Sequence, residues 1–597
     1  MKLTGGEMIA RFLVNQGVPY VAGIPGHGAL PLTDALFKMK HKIRPIQVRQ
    51  EMSAVHIADG YFRVTGRPLA AFTSIGPGAI NTAIGVATCF VDSTPCMVFA
   101  GDTHTYMHGK GVLQEIERKT DSGFSSMFEP ITKRVFKVND VRMLPNVLRR
   151  AWQVMMGGRK GPVLISLPMD VQADSCDVKA DELRVSESNL LPEPDPTAIH
   201  EAVNLLKTAK RPMILAGGGV LYNCAAPLLR EVAELIGAPV MTTLQGKSAF
   251  PENHPLSAWL GGSKGTMIGN TMAPKADVLL AIGTRFADET SSSYREGITY
   301  SRKTKLIHID LDPHEIGKNY YANVPIIADA NKALAALKLG LENAGLTRNY
   351  EETEYFAELQ QVKQAWFDKL EQTRQKGDGI TVSQLLYELR KALPADTYIA
   401  HSSGHTQASI LSEFPFSVPG TCLTTAGFST MGWALPAAMG AKLACPDRPC
   451  VSVTGDGDFM MTMQELSTAV QHEIPVVHVI SNNSGWISIR DLQIDAFGAD
   501  RAHMTEFTND GKLVTPDFFA VAKAFGCYAR KVTKREDIAK AVQAALKAKR
   551  PAVVEVIVNR EHPVSGSAAT GWWDVPIPTY LAAKRKKYES ERDEEVL

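Results

Sequence analysis

The sequence predicts an α/β protein of three doubly wound parallel-sheet domains, on three observations. Short β-branched apolar runs recur along the chain, amphipathic helical stretches separate them, and two polar stretches cut the whole into blocks the size of single domains. Length points the same way, since 597 residues exceed what one hydrophobic core serves.

The apolar runs of the first block are PLAAFTSI (68–75), PCMVFAG (95–101) and GPVLISL (161–167). RPMILAGGG (211–219), ADVLLAIG (276–283) and KLIHIDL (305–311) follow in the second, then CVSVTGDG (450–457), PVVHVISNN (475–483) and PAVVEVIV (551–558) in the third. Continuous runs of this length suit strands buried on both faces, and the helices between them imply βαβ crossovers. The expected divisions are a domain over 1–175, a linker over 176–197 and a middle domain over 198–345. A charged helical linker over 346–378, a third domain over 379–560 and a tail over 561–597 complete the chain. The tail's charge run, AAKRKKYESERDEEVL, reads as a solvated helix.

Composition narrows the function. With a net charge of +1 there is no overall attraction to nucleic acid or to an anionic membrane. No apolar run reaches the roughly 18 residues that span a bilayer, and the N-terminus lacks the layout of a secretion signal, so a cytoplasmic location is expected. The eight cysteines, at 89, 96, 176, 224, 422, 445, 450 and 527, form no CxxC pair or zinc-ligand spacing and read as buried reduced thiols.

The third block carries the strongest motif. A strand ends at Gly455-Asp456-Gly457, and glycines there let a backbone approach a phosphate at the start of the following helix. A second strand ends at Asn482-Asn483, which stands beside Asp456 if the two strands are neighbours. One carboxylate, an amide oxygen and a backbone carbonyl, completed by diphosphate oxygens and water, make an octahedral shell for Mg²⁺. A lone GDG is also a common turn; the NN after the next strand is what makes the pattern specific.

GDG followed by NN at this spacing resembles the cofactor-anchoring motif of thiamine-diphosphate-dependent enzymes. The resemblance assigns the metal to Asp456, the Asn483 side chain and the Gly485 carbonyl. TTAGFSTMGWALPAAMGAKLA (424–444) resembles the segment beneath the cofactor, with Met431 as the residue that props the two rings into a bent shape; core packing is the alternative for that side chain. The same likeness gives cofactor contacts to Gly26, Gln407 of SSGHTQ, Gly455, Gly457, Asp458, Trp486 and Ile487.

The first block is similar along its length to the pyrimidine-binding domain of acetolactate synthase large subunits. Glu51, followed by AVHIADGYFRVTG, matches the glutamate that activates the cofactor. Its carboxyl group has to share a proton with the aminopyrimidine ring in an apolar cleft, so burial is expected to raise its pKa. Gln114 matches a glutamine that reaches toward bound substrate, with Leu113 in place of a phenylalanine on the substrate wall. His27, in PGHG, stands where the family carries glycine and reads either as a proton relay or as a structural histidine. Lys133 matches the family and is given no chemistry. The resemblance also implies a homodimer or homotetramer with active sites between subunits.

The middle block resembles the domain that often binds FAD in the same family, with Arg285 of GTRF and Asp310 of HIDLDP near the flavin. Ala287 and Glu289 depart from the family pattern, and the triple glycine at 217–219 is no dinucleotide fingerprint. An FAD site and a vestigial domain are both open.

The reading that follows is a thiamine-diphosphate- and Mg²⁺-dependent enzyme. It decarboxylates a 2-oxo acid such as pyruvate and carboligates the product to a second carbonyl. NNSGWISIRDLQ (482–493) and GWWDVPIP (571–578) also resemble trihydroxycyclohexane-dione hydrolases, which makes hydrolysis of a cyclic diketone the alternative; Leu492 replaces the tryptophan that selects the second 2-oxo acid. A flavin-dependent oxidase and a non-catalytic paralogue stand behind these.

Overall fold

In the computed structural model, residues 1–121, 123–185, 191–375, 378–560 and 575–593 are described. The structure contains three six-stranded sheets in which every pairing is parallel. All nine apolar runs supply strands, each buried along nearly its whole length.

The first sheet orders its strands Arg44–Gln47, Tyr20–Gly23, Ala70–Thr73, Met97–Asp102, Val163–Pro168, Arg134–Lys137. The second runs Ser257–Leu260, Val240–Thr242, Pro212–Ala216, Val278–Ile282, Lys305–Asp310, Val324–Ile327. The third runs Cys422–Thr424, Tyr398–His401, Cys450–Gly455, Val477–Asn482, Ala552–Ile557, Tyr528–Val532. In each, the chain builds outward in one direction and then reverses. The reversal leaves a crevice at the carboxyl ends of two adjacent strands, where open α/β sheets bind ligands.

The outer two blocks are not independent bodies. One continuous hydrophobic core contains residues of both, from Met8 and Phe99 in the first to Trp433 and Val476 in the third. The helices Glu51–Thr65 and Ala434–Ala444 meet at glycines: a Cβ on Gly60 would lie 2.1 Å from the Ala437 carbonyl oxygen, and one on Gly440 2.1 Å from that of Ile57. Only residues without a side chain allow the two backbones so close.

The middle block keeps separate cores on the two faces of its own sheet. The helix Glu354–Arg374, within the charged stretch, packs on one of them through Leu359, Trp366 and Leu370. The eight cysteines are all unpaired, but Cys224 is exposed and Cys176 and Cys445 are half-buried, which corrects the expectation that all are buried. Of GWWDVPIP, residues 571–574 lie outside the described residues. No helix among the described residues is long and apolar enough to cross a membrane.

Candidate active site

In the third block the crevice opens between the ends of Tyr398–His401 and Cys450–Gly455. Cys450–Gly455 pairs with Val477–Asn482 in a register that sets Gly455 against Ser481. The loops that follow therefore leave side by side, which brings GDG and NN together. Asp456 is buried at the start of a short helix; its Oδ1 accepts the Gly457 N–H at 2.8 Å and its Oδ2 the Gly485 N–H at 3.2 Å. Burial pushes its pKa up, opposed by these backbone donors. The carboxylate thus ties the two loops into one cradle.

The two asparagines divide the work. Asn482 is buried, donates to Glu555 Oε1 at 2.8 Å and accepts the Ser484 N–H at 3.2 Å, so it builds the loop. Asn483 is half-buried. A Cβ on Gly457 would strike the Trp486 ring at 2.3 Å, and one on Gly485 the Thr505 carbonyl oxygen at 2.6 Å. Trp486 is itself braced edge-on by Phe507, and Ile487, buried, opens the next helix. Gly455 has open space above it.

Asp458 turns its carboxylate to the loop over the crevice, accepting the Gly432 N–H at 2.5 Å, and burial raises its pKa to about 6. Next in that loop is Met431, partly exposed. Gln407 is fully buried; it donates to the Ser402 carbonyl and accepts from Lys264 of the middle block at 3.1 Å. Lys264 in turn pairs with Glu289 at 2.7 Å, so the departure from the family pattern at Glu289 has a structural use.

In the first block the predicted residues surround the loop Ser74–Gly78, at the crevice between Tyr20–Gly23 and Ala70–Thr73. Glu51 opens its helix with Oε2 accepting from Asn81 Nδ2 at 3.0 Å, and a Cβ on Gly78 would lie 3.3 Å from its Oε1. Gly26 faces Ser74, whose Oγ accepts the Gly28 N–H at 3.1 Å. Gln114, with φ of +72°, sets its carbonyl oxygen 2.2 Å from where a Cβ on Gly76 would be. His27 and Gln114 are exposed.

Two expectations need correcting. Glu51 is only half-buried and is not enclosed in an apolar cleft. Leu113 is 82% exposed and stands against no substrate wall of its own chain. No hydrogen bond or ion pair among the described residues joins the Glu51 carboxylate to Asp456. Asn81 and Lys264 escaped the sequence reading, as neither sits in a pattern that points to chemistry.

The middle block's crevice holds a cavity of about 370 Å³ at the ends of Pro212–Ala216 and Val278–Ile282. Arg285 and Asp310 both line it, with the backbones of Gly218, Gly219 and Gly283. Burial raises the Asp310 pKa to about 6. Asp92 and Phe428 reach the cavity from the outer blocks.

Two loops tied by Asp456 on one block, a carboxylate on a second of matching topology and a middle block between them match the build of a cofactor-dependent enzyme of the thiamine type. Three family profiles match in order: the N-terminal TPP binding domain of thiamine pyrophosphate enzymes over residues 3–121, the central domain over 199–337, and the C-terminal TPP binding domain over 402–556. The chain belongs to the thiamine pyrophosphate enzyme family. Within it, the chain is 33% identical to a probable acetolactate synthase large subunit of Methanocaldococcus jannaschii, over 93% of this chain and 92% of the relative. It is also 33% identical to an acetolactate synthase of Mycobacterium bovis, over 96% and 90%. An acetolactate synthase large subunit of Corynebacterium glutamicum shares 33%, over 96% and 89%.

Proposed function

We propose that this protein decarboxylates a 2-oxo acid such as pyruvate and joins the remaining carbon unit to a second carbonyl, a reading supported by relatives named acetolactate synthase. The observation that supports the reading is the register of Gly455 against Ser481, which sets the GDG loop beside the NN loop, where Asp456 Oδ2 accepts the Gly485 N–H. The relatives named above favour carboligation over hydrolysis of a cyclic diketone.

The residues fit thiamine diphosphate and Mg²⁺. Asp456, the Asn483 amide oxygen and the Gly485 carbonyl are a hard-oxygen set suited to a Mg²⁺ that also takes diphosphate oxygens. Gly457 lies flush against Trp486, and the absence of a side chain there keeps the turn after Gly455 close-packed. When bound, the cofactor supplies a carbon nucleophile and an electron sink. Glu51 would hydrogen-bond the aminopyrimidine ring through one carboxylate oxygen while Asn81 fixes the other. Met431 would support the cofactor's rings, and His27 and Gln114 would border the substrate. Glu51 gains its second wall from a partner subunit in a homodimer or homotetramer, which explains its exposure here.

The middle cavity's glycine backbones and Asp310 suit the nucleotide part of FAD; a yellow, flavin-absorbing purified protein is the expected sign. Eight unpaired thiols agree with a reducing compartment such as the cytoplasm.

The test is to supply pyruvate with Mg²⁺ and thiamine diphosphate and to follow CO₂ and product together. Acetolactate formation is expected. Glu51→Gln is expected to slow turnover by about 10²-fold or more while cofactor affinity measured by calorimetry stays nearly unchanged. Ring opening of a cyclic diketone without CO₂ release would transfer the assignment to the hydrolytic reading.

A further inference from the structure

The helix that carries Glu51 begins without a cap of its own: Gln50 stands at the N-cap and makes no side-chain capping bond. Its start is held instead by the third block. The fully buried Glu465 carboxylate accepts the Arg49 N–H on both oxygens, at 3.1 and 3.2 Å, and the Gln50 N–H at 3.0 Å. Thr468 Oγ1 donates to it at 2.7 Å. Around this centre, Gln464 bonds Gln50 at 3.0 Å, Gln471 bonds Gln47 at 3.0 Å, and His472 Nε2 accepts the Gln47 N–H at 2.9 Å.

A carboxylate bonded to two successive N–H groups fixes the peptide planes that precede residue 51. It therefore fixes the direction in which the Glu51 side chain leaves the helix. It also occupies donors that would compete for a carboxylate at a helix start, leaving Glu51 to Asn81 and the crevice. We propose that Glu465 is a positioning residue for Glu51, aiming the activating carboxylate from within the block that carries GDG. The proposal rests on Glu51 being the activating carboxylate.

Glutamine at 465 would keep one acceptor but turn an NH₂ toward two N–H donors, and aspartate would keep the charge but lose reach. Backbone amide exchange in the cofactor-free protein, followed by mass spectrometry, is expected to rise about tenfold over residues 44–52 in Glu465→Gln. In the thiamine-diphosphate-loaded enzyme, exchange of the thiazolium proton into D₂O is expected to slow roughly 10–100-fold, as small misplacements of catalytic groups do. Cofactor affinity should stay within about threefold, because only Glu51's aim and not the anion cradle is disturbed. Glu465→Asp should fall between wild type and Glu465→Gln.

Gln471→Ala removes side-chain bonds of the same seam and leaves the Glu465 carboxylate in place. It is expected to keep thiazolium exchange within about twofold. Thiazolium exchange at the wild-type rate in Glu465→Gln would overturn the proposal. So would a loss that tracks falling melting temperature and cofactor affinity in proportion, which is the mark of a merely structural role. Glu51→Gln, measured alongside, separates the failures: wild-type exchange there would sink the reading of Glu51 itself.

Discussion

At the scale of single residues, the site is a set of side chains bonded to the backbone of loops they do not belong to. Asp456 ties its own loop to Gly485, Asp458 ties the helix start to Gly432, and Glu465 ties the third block to the first. Burial also sets a pH dependence elsewhere. His56, His401 and His478 are fully buried, which depresses their pKa values to about 4, 3 and 3. Once unfolded, each takes up a proton as pH falls below about 6.5. The unfolded state then binds more protons than the folded one, so stability falls as pH drops from about 6.5 to 4. His56 is the sharpest case, since neither ring nitrogen has a hydrogen-bond partner. His56→Leu is expected to raise stability at pH 7, where an unpartnered buried polar group costs about 1–3 kcal/mol. The gain should be larger at pH 5. Thermal unfolding at both pH values checks this, and an equal gain at each would show that His56 does not titrate on unfolding. The meeting of the GDG and NN loops was legible in the sequence because the motif has a fixed spacing. Asn81 and Glu465 were not, because an ordinary polar residue acquires its role only when the fold sets it against a backbone far away in sequence.

At the scale of elements, the long apolar runs were legible, whereas short buried strands such as Val240–Thr242 and Tyr398–His401 were not. Each continuous apolar run became a strand covered on both faces. The strands Arg44–Gln47, Arg134–Lys137 and Tyr528–Val532, which the apolar runs did not signal, lie at sheet edges and bury only part of their length. An edge strand needs no unbroken apolar run, so its sequence carries none. The crossing of Glu51–Thr65 with Ala434–Ala444 was also hidden, since a glycine in a helix shows its purpose only beside the neighbour it admits. Gly440→Ala would place a methyl carbon 2.1 Å from the Ile57 carbonyl oxygen and push the helices apart. Destabilisation of about 2 kcal/mol or more is expected, as for an overpacked core. The denaturant midpoint measures it, and an unchanged midpoint would mean that the helices part at little cost.

At the scale of the whole molecule, Glu51 and the GDG and NN loops occupy different blocks, with no bond between Glu51 and Asp456. If the site is completed by a partner subunit, two inactive variants should rescue each other. Mixing Glu51→Gln with Asp456→Ala chains under conditions that exchange subunits is expected to restore about one site in four of a random dimer population. Assay of the mixture against each variant alone checks this, and no recovery despite proven mixed dimers would place both groups of a working site on one chain.

The shared core of the outer blocks also has a consequence for how the chain could have been assembled. Their buried side chains belong to a single interior, whereas the middle block closes its own on both faces of its sheet. In architectural terms the protein is a two-part body with a self-sufficient module set into its span. Its ties to the third block are small and mostly polar, through Lys264 to Gln407, Glu252 to the Phe416 N–H and the cluster of Leu244 and Leu260 with Leu411 and Ala426. The Glu289 that pairs with Lys264 therefore acts at that seam and not in either interior.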